Sequence, residues 1–271
     1  MARAAEDSGL EQLWLWEDCF LESGIAAAAA ALAWTERLQV GVGLLPVPLR
    51  NVALTAMEIA TLSRLFPGRL HVGVGHGVQD WMGQGGARVE SPITLLREYA
   101  TALRSLLDGH EVTTTGRYVE LDRVALDWPP LTAVPVLAGA TGPRSLRLTG
   151  EVADGTILTG GTNADGVRQA RLLIDEGRAT AGRAGTHPIV VYLLAATGAG
   201  AQERLTGQQH AFGYDMSQEV GVAGDARSVA EAVERWAAAG ADTVVLQPTA
   251  DEPDPEGFVR FVATEVRALV G

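Results

Sequence analysis

Six short tracts of the 271-residue chain hold residue types that could bind an anion, seat a flat ring or move a proton. They are Glu17-Asp18-Cys19, Gly43-Leu44-Leu45-Pro46, Gly75-His76-Gly77, Gly139-Ala140-Thr141-Gly142, Thr159-Gly160-Gly161 and Gln247-Pro248. Three are rich in glycine, which lets backbone approach a ring or phosphate closely and leaves bare N–H donors. The sharpest is Gly139 to Gly142, because Pro143-Arg144-Ser145 follows it. Proline suits the first helical turn, and the free N–H groups there favour an anion, so a cofactor phosphate is one natural occupant. A plain strand-to-helix turn is the other reading of the same residues. Arg144 either neutralises a phosphate oxygen or is a solvated helix arginine. His76, between two glycines, is a proton donor to substrate or a structural histidine. Asp80-Trp81-Met82 follows it, and Trp81 either shapes a substrate pocket or packs on the rim. His71 fills the interior, and His110, His187 and His210 receive no role. No His/Cys/Asp cluster has metal-ligand spacing, and no Gly-x-Ser-x-Gly turn is present.

Those tracts need a scaffold that brings them to one place. Apolar runs at residues 13–16, 39–45, 70–75, 134–138, 156–158, 189–195 and 243–246 read as strands. Helical patterns at 25–37, 52–66, 92–107, 145–152, 165–182, 226–239 and 256–270 separate them. The strands do not alternate in polarity, as expected when both faces of a parallel sheet are buried. Strand–helix alternation through the whole chain implies one parallel α/β domain over residues 1–271, and each tract above then falls at the carboxyl end of a strand, where barrels place their chemistry. Residues 111–130 read as a hairpin-like insertion, and 199–224 as irregular, with a lid as one use. Seven strands are legible where a (β/α)8 barrel has eight. The expectation is a barrel whose first strand is lacking or truncated, Met1 being either an internal start or the start of a barrel with an open edge that something must cover.

The formal charge is −12, from 33 acidic and 21 basic residues, which repels nucleic acid and anionic membranes as partners. The single Cys19 excludes an internal disulfide and fits a reducing compartment. The longest apolar run, residues 40–49, is too short to span a bilayer, so a cytoplasmic protein is expected.

The order of Arg37-Leu38-Gln39-Val40-Gly41-Val42-Gly43, Pro67-Gly68-Arg69-Leu70-His71-Val72-Gly73-Val74-Gly75, Val136-Leu137-Ala138-Gly139-Ala140-Thr141-Gly142-Pro143, Ala153-Asp154-Gly155 and Gly240-Ala241-Asp242-Thr243-Val244 resembles the luciferase-like monooxygenase superfamily across essentially the whole chain. Asp18-Cys19-Phe20 and Gly75-His76-Gly77 are most similar to its branch that uses coenzyme F420. The resemblance implies a TIM barrel of bacterial luciferase-like type and hydride transfer between a deazaflavin and a small organic substrate. It also implies a homodimer and a non-prolyl cis peptide or bulge at Gly43–Leu44 against the cofactor ring. By the same resemblance Gly43, Leu44, Gly75, His76, Gly77, Gly139, Ala140, Thr141, Gly142, Thr159, Gly160 and Gly161 bind the cofactor, and Asp18, Cys19 and His76 stand at the reaction. Asp18 hydrogen-bonds the ring, positions an acid or caps the next segment; Cys19 lines the cofactor or is a small buried residue. Members of the branch often carry His where this chain has Cys19, and a thiol cannot act as an imidazole acid. Its glucose-6-phosphate dehydrogenases place Glu where this chain has Val78, which disfavours sugar-phosphate oxidation. FMN-dependent oxygenation and a cofactor-free binding role are the alternatives. A deazaflavin has carbon at the position of flavin's reactive nitrogen, so it passes hydride but reacts poorly with oxygen.

Overall fold

The computed structural model describes all residues, 1–271. In chain order the elements are α1 (Ala2–Asp7), β1 (Gln12–Leu15), α2 (Gly24–Ala33), β2 (Gln39–Pro46), α3 (Val52–Leu65), β3 (Leu70–Gly75), α4 (Gln79–Gln84), α5 (Pro92–Leu107), β4 (Val112–Thr115), β5 (Glu120–Val124), β6 (Val136–Gly139), α6 (Pro143–Val152), β7 (Gly155–Leu158), α7 (Ala164–Thr180), β8 (Ile189–Ala196), α8 (Ala201–Ala211), β9 (Gly221–Ala223), α9 (Ala226–Ala238), β10 (Thr243–Pro248) and α10 (Pro255–Phe261). The main sheet runs β1-β2-β3-β6-β7-β8-β10, every pairing parallel, with β9 added beside the carboxyl end of β8. Strands β1 and β10 end the sheet and do not pair with each other, so the curled sheet is a barrel open along one seam. The hairpin β4–β5 forms its own two-stranded sheet.

Glycines in β2 and β3 are dictated by what fills the interior. A Cβ on Gly41 would fall 2.4 Å from the Trp14 ring, and one on Gly73 would fall 2.3 Å from Ile157. Trp14, Leu137, Ile157, Val190 and Tyr192 make the inner core, and His71 stacks on Trp14 while bonding Gln39 at 2.6 Å. The larger apolar clusters lie between sheet and helices, as both-face burial of a parallel sheet requires.

Three stretches differ from the sequence reading. Helix α2 stops at Ala33, because the backbone N–H groups of Glu36, Arg37 and Leu38 turn to the carboxylate of Glu6 instead of continuing the helix. Residues 199–224 are not irregular throughout: they hold α8 and β9. The last helix gives way after Phe261 to a π turn over Val262–Val266 and a 3-10 turn over Arg267–Leu269. No helix is long and apolar enough to cross a membrane.

Candidate functional site

At the end of β2 the Gly43–Leu44 peptide is cis, and the β2/β3 register shifts between Val42 and Leu45. The Leu44 side chain lies across the ends of β3 and β6. A Cβ on Gly75 would sit 2.6 Å from it and one on Gly139 2.1 Å. These two glycines therefore make room for Leu44, a tighter reason than the ring approach read from sequence. Gly77 turns at φ +66 over Met82 and Pro46 into α4. Ala140 is buried, its N–H donating to the Ile157 carbonyl at 3.1 Å.

Three residues beyond Gly139 the surroundings open. Gly142 precedes Pro143 as the N-cap of α6, at φ −86 and ψ 154, with no side-chain cap and nothing within 4 Å of the place a Cβ would take. The N–H groups of Arg144 and Ser145 belong to the first turn and have no acceptor in the chain. Arg144 is exposed and forms no ion pair. Behind this turn His76 bridges two helix starts: Nδ1 lies 3.2 Å from the Pro92 carbonyl and Nε2 3.1 Å from the Ser145 hydroxyl. A carbonyl only accepts, so Nδ1 carries the proton and Nε2 accepts from Ser145. Burial lowers the His76 pKa, partly offset by the bond to Pro92, and keeps the ring neutral.

The loop after β1 is held from below. Glu17 takes Arg50 with both oxygens, at 3.1 and 2.7 Å, and also accepts the Gly24 N–H; Arg50 reaches Glu58 as well. This clamp presents Asp18 and Cys19, followed by exposed Phe20 and Leu21 and by a second cis peptide at Cys19–Phe20. Asp18 has no cationic partner, and burial raises its pKa. The Cys19 thiol is pushed up by burial, then by the charges of Glu17 and Asp18, so it is not a thiolate at neutral pH. Two phenols feel the charge of Asp18: Tyr192 and Tyr214, both raised chiefly by burial and further by Asp18. The Tyr192 hydroxyl fills the space a Cβ on Gly43 would need, at 2.6 Å, and Trp16 meets its ring edge-on at 6.3 Å. Tyr214 lies over Gly160 and Gly161, within 2.9 and 2.8 Å of their Cβ positions. The segment after α8 is fastened there by Asn163 donating to Gln218 at 3.0 Å. Thr159 supports the same loop by accepting from the Thr162 hydroxyl.

The structure thus joins Gly43, Leu44, Gly75 and Gly139 through one leucine and His76 to the Gly142 turn through Ser145, and it sets Tyr192 against Gly43 and Tyr214 against Gly160 and Gly161. Sequence reasoning missed Tyr192, Tyr214 and Arg50, and named Glu17 only as part of a strand end, without its clamp. Tyr192 carried a usable signal, a hydroxyl in an otherwise aliphatic strand; Tyr214 lay in a stretch without a motif.

The family model described as Luciferase-like monooxygenase matches residues 1–212. Among curated proteins, 5,10-methylenetetrahydromethanopterin reductase of Methanolobus tindarius is 30% identical over 188 residues, 69% of this chain and 56% of that one. The chain spans about half the length of the curated relatives it matches. In fold it is similar to an F420-dependent secondary alcohol dehydrogenase solved with an F420–acetone adduct, with TM-score 0.88, 21% identity, and coverage of 100% of this chain and 93% of that one. It is also similar to the FMN complex of the oxygenating constituent of 3,6-diketocamphane monooxygenase from Pseudomonas putida, with TM-score 0.78, 17% identity and coverage of 100% and 91%.

Proposed function

The chain belongs to the luciferase-like monooxygenase family, and from that premise we propose that it is an oxidoreductase exchanging hydride between coenzyme F420 and a small organic substrate. One observation carries the reading: an open Gly142, two unclaimed first-turn N–H groups and an unpaired Arg144 follow directly on the strand whose end, Gly139, makes room for Leu44. That donor set fits the phosphate of a planar cofactor, because a helix start and a guanidinium both favour an anion. Gly142, Arg144, Ser145 and the Thr141 backbone would hold the phosphate, and Leu44 would back the ring. When bound, the cofactor supplies a carbon that gives or takes the hydride.

The remaining work falls to the chain's own groups. Asp18, held neutral to higher pH than a free carboxyl, gives or takes the proton that balances hydride transfer at a carbonyl or alcohol oxygen. Tyr192 and Tyr214, whose burial keeps their phenols protonated, orient that oxygen. Cys19 lines the site as a thiol. His76 acts as a positioning residue, since both ring nitrogens are occupied in holding the α5 and α6 starts together. Titration with F420 and with FMN, followed by absorbance and fluorescence, tests the reading. Micromolar binding of F420 supports it, oxygen consumption with reduced FMN would replace it with the monooxygenase reading, and binding of neither would refute both.

For the partner state we propose a homodimer through the outer face of α3. Leu54, Met57 and Leu65 stand exposed there, with exposed Trp128 beside them under Arg64 at 5.1 Å. Charge depletion and exposed aromatics mark such faces. Sedimentation showing a monomer at micromolar concentration would contradict it.

A further inference from the structure

The hydrogen atoms at the α6 start are already allotted, and the allotment leaves Ser145 turned the wrong way for an anion. The Pro92 carbonyl lies 3.2 Å from Nδ1 of His76 and can only accept, so Nδ1 carries hydrogen. A neutral ring has no second N–H, so Nε2 accepts from the Ser145 hydroxyl at 3.1 Å. Ser145 has a single hydroxyl hydrogen, and His76 holds it. Ser145 is only partly buried and lies in the first turn of α6, beside the open Gly142. Toward that turn its oxygen therefore shows lone pairs, which repel a phosphate oxygen. The hydroxyl opposes the anion that the backbone around it favours.

Two rearrangements turn the hydroxyl toward an anion. In both, Ser145 donates outward and accepts from an Nε2–H. If the ring stays neutral, its hydrogen must leave Nδ1, and the Pro92 carbonyl then faces a nitrogen lone pair. That loses a hydrogen bond and adds a repulsion. If the ring gains a proton, both bonds survive, and a positive charge lies behind the hydroxyl that meets the anion. The surroundings leave this second course open. Burial lowers the His76 pKa and the Pro92 bond raises it, with no charged side chain acting on the ring. Charged residues on the neighbouring helices are engaged elsewhere: Asp80 of α4 with Arg88, Arg97 of α5 with Glu151, and Arg147 of α6 with Glu176. Arg144 is exposed, where solvent screens it from His76.

We propose that Ser145 and His76 form a relay through which a phosphate bound at the α6 start draws in a proton. The phosphate oxygen accepts from the Ser145 hydroxyl, Nε2 gains a proton from solvent and donates to Ser145, and His76 becomes a second cation of the site. The relay rests on the reading of this turn as the cofactor's phosphate site. Linkage is reciprocal: an anion that favours protonated His76 binds more tightly as the pH falls.

Fluorescence titration with F420 from pH 8 to pH 6, on the parent protein and on Ser145→Ala, tests the relay. The variant keeps the first-turn N–H groups, and it cancels any ionisation of the cofactor itself from the comparison. Parent affinity should rise by about tenfold more than that of Ser145→Ala across the range. His76→Gln, whose side chain does not titrate, should lose the same excess. Calorimetry at pH 7 in two buffers of different ionisation enthalpy should find proton uptake in the parent and none in either variant. Equal pH slopes in parent and Ser145→Ala, or proton release on binding, would overturn the relay while leaving the cofactor reading in place. Absence of F420 binding at every pH would instead remove the cofactor reading, and the relay with it.

Discussion

At the amino ends of the strands the charged side chains have fixed partners, while at the carboxyl ends several of the most reactive groups have none. Arg69 donates to the carbonyls of Leu32, Thr35 and Leu38 and to the Thr35 hydroxyl. Asp154 takes Arg104, Arg183 and the Val136 N–H, and Asp242 takes Arg171 and the Ile189 N–H. At the other end Asp18 lacks a cation, Arg144 lacks an anion and Gly142 borders open space. A fully paired end holds the strands in register; an end with unpaired groups gives up stability and leaves those groups free to meet a ligand.

If that contrast is right, damage at the two ends should differ in kind. Arg69→Ala should cost about 2–4 kcal/mol in urea unfolding, since three carbonyls lose their donor, with F420 affinity of the folded fraction unchanged. A loss below about 0.5 kcal/mol would mean the amino end is not the stabilising one.

Acid should attack the same end. In the buried chain Thr149, Thr156 and His187, the Thr149 hydroxyl donates to Leu146 and the Thr156 hydroxyl to Thr149, so Thr156 accepts from Nε2–H of His187. Nδ1 is left without proton or partner. Burial first, then Arg178, Arg183 and Arg171, against Asp154, lower the His187 pKa to about 4. The unfolded state therefore binds the extra proton first, and stability falls as pH drops from the ordinary histidine value toward about 4. The loss should be about 2–3 kcal/mol and should shrink in His187→Gln, measured as the difference between the two unfolding curves across pH.

The carboxyl end should respond in the opposite sense and by less. The Asp18 pKa is raised, so its ionised form weakens the fold as pH rises through the folded value. Asp18→Asn should stabilise at neutral pH by about 0.5 kcal/mol, the part of the carboxyl open to water keeping the effect small. Turnover should fall by about a hundredfold. A destabilised Asn variant with full turnover would remove Asp18 from the reaction.

The same contrast explains what the sequence made legible. The seven strands of the main path were readable because both-face burial leaves unbroken apolar runs at regular spacing. The Gly43–Leu44 irregularity was reachable through family resemblance, but the use of Gly75 and Gly139 was not, because Leu44 reaches them from another strand. The Glu17–Arg50–Glu58 clamp joins residues 33 and 8 positions apart and has no local pattern. Helix α8 was hidden because its apolar residues form no consistent stripe.

The central claim, that the α6 start receives an anionic cofactor, is tested most directly at Gly142. Its φ and ψ suit any residue and no atom stands near its Cβ position, so Gly142→Glu should leave the fold intact. The account predicts unchanged thermal unfolding and F420 affinity reduced by about a hundredfold or more, in a titration run beside the parent protein. Parent-like affinity in the folded variant would contradict it.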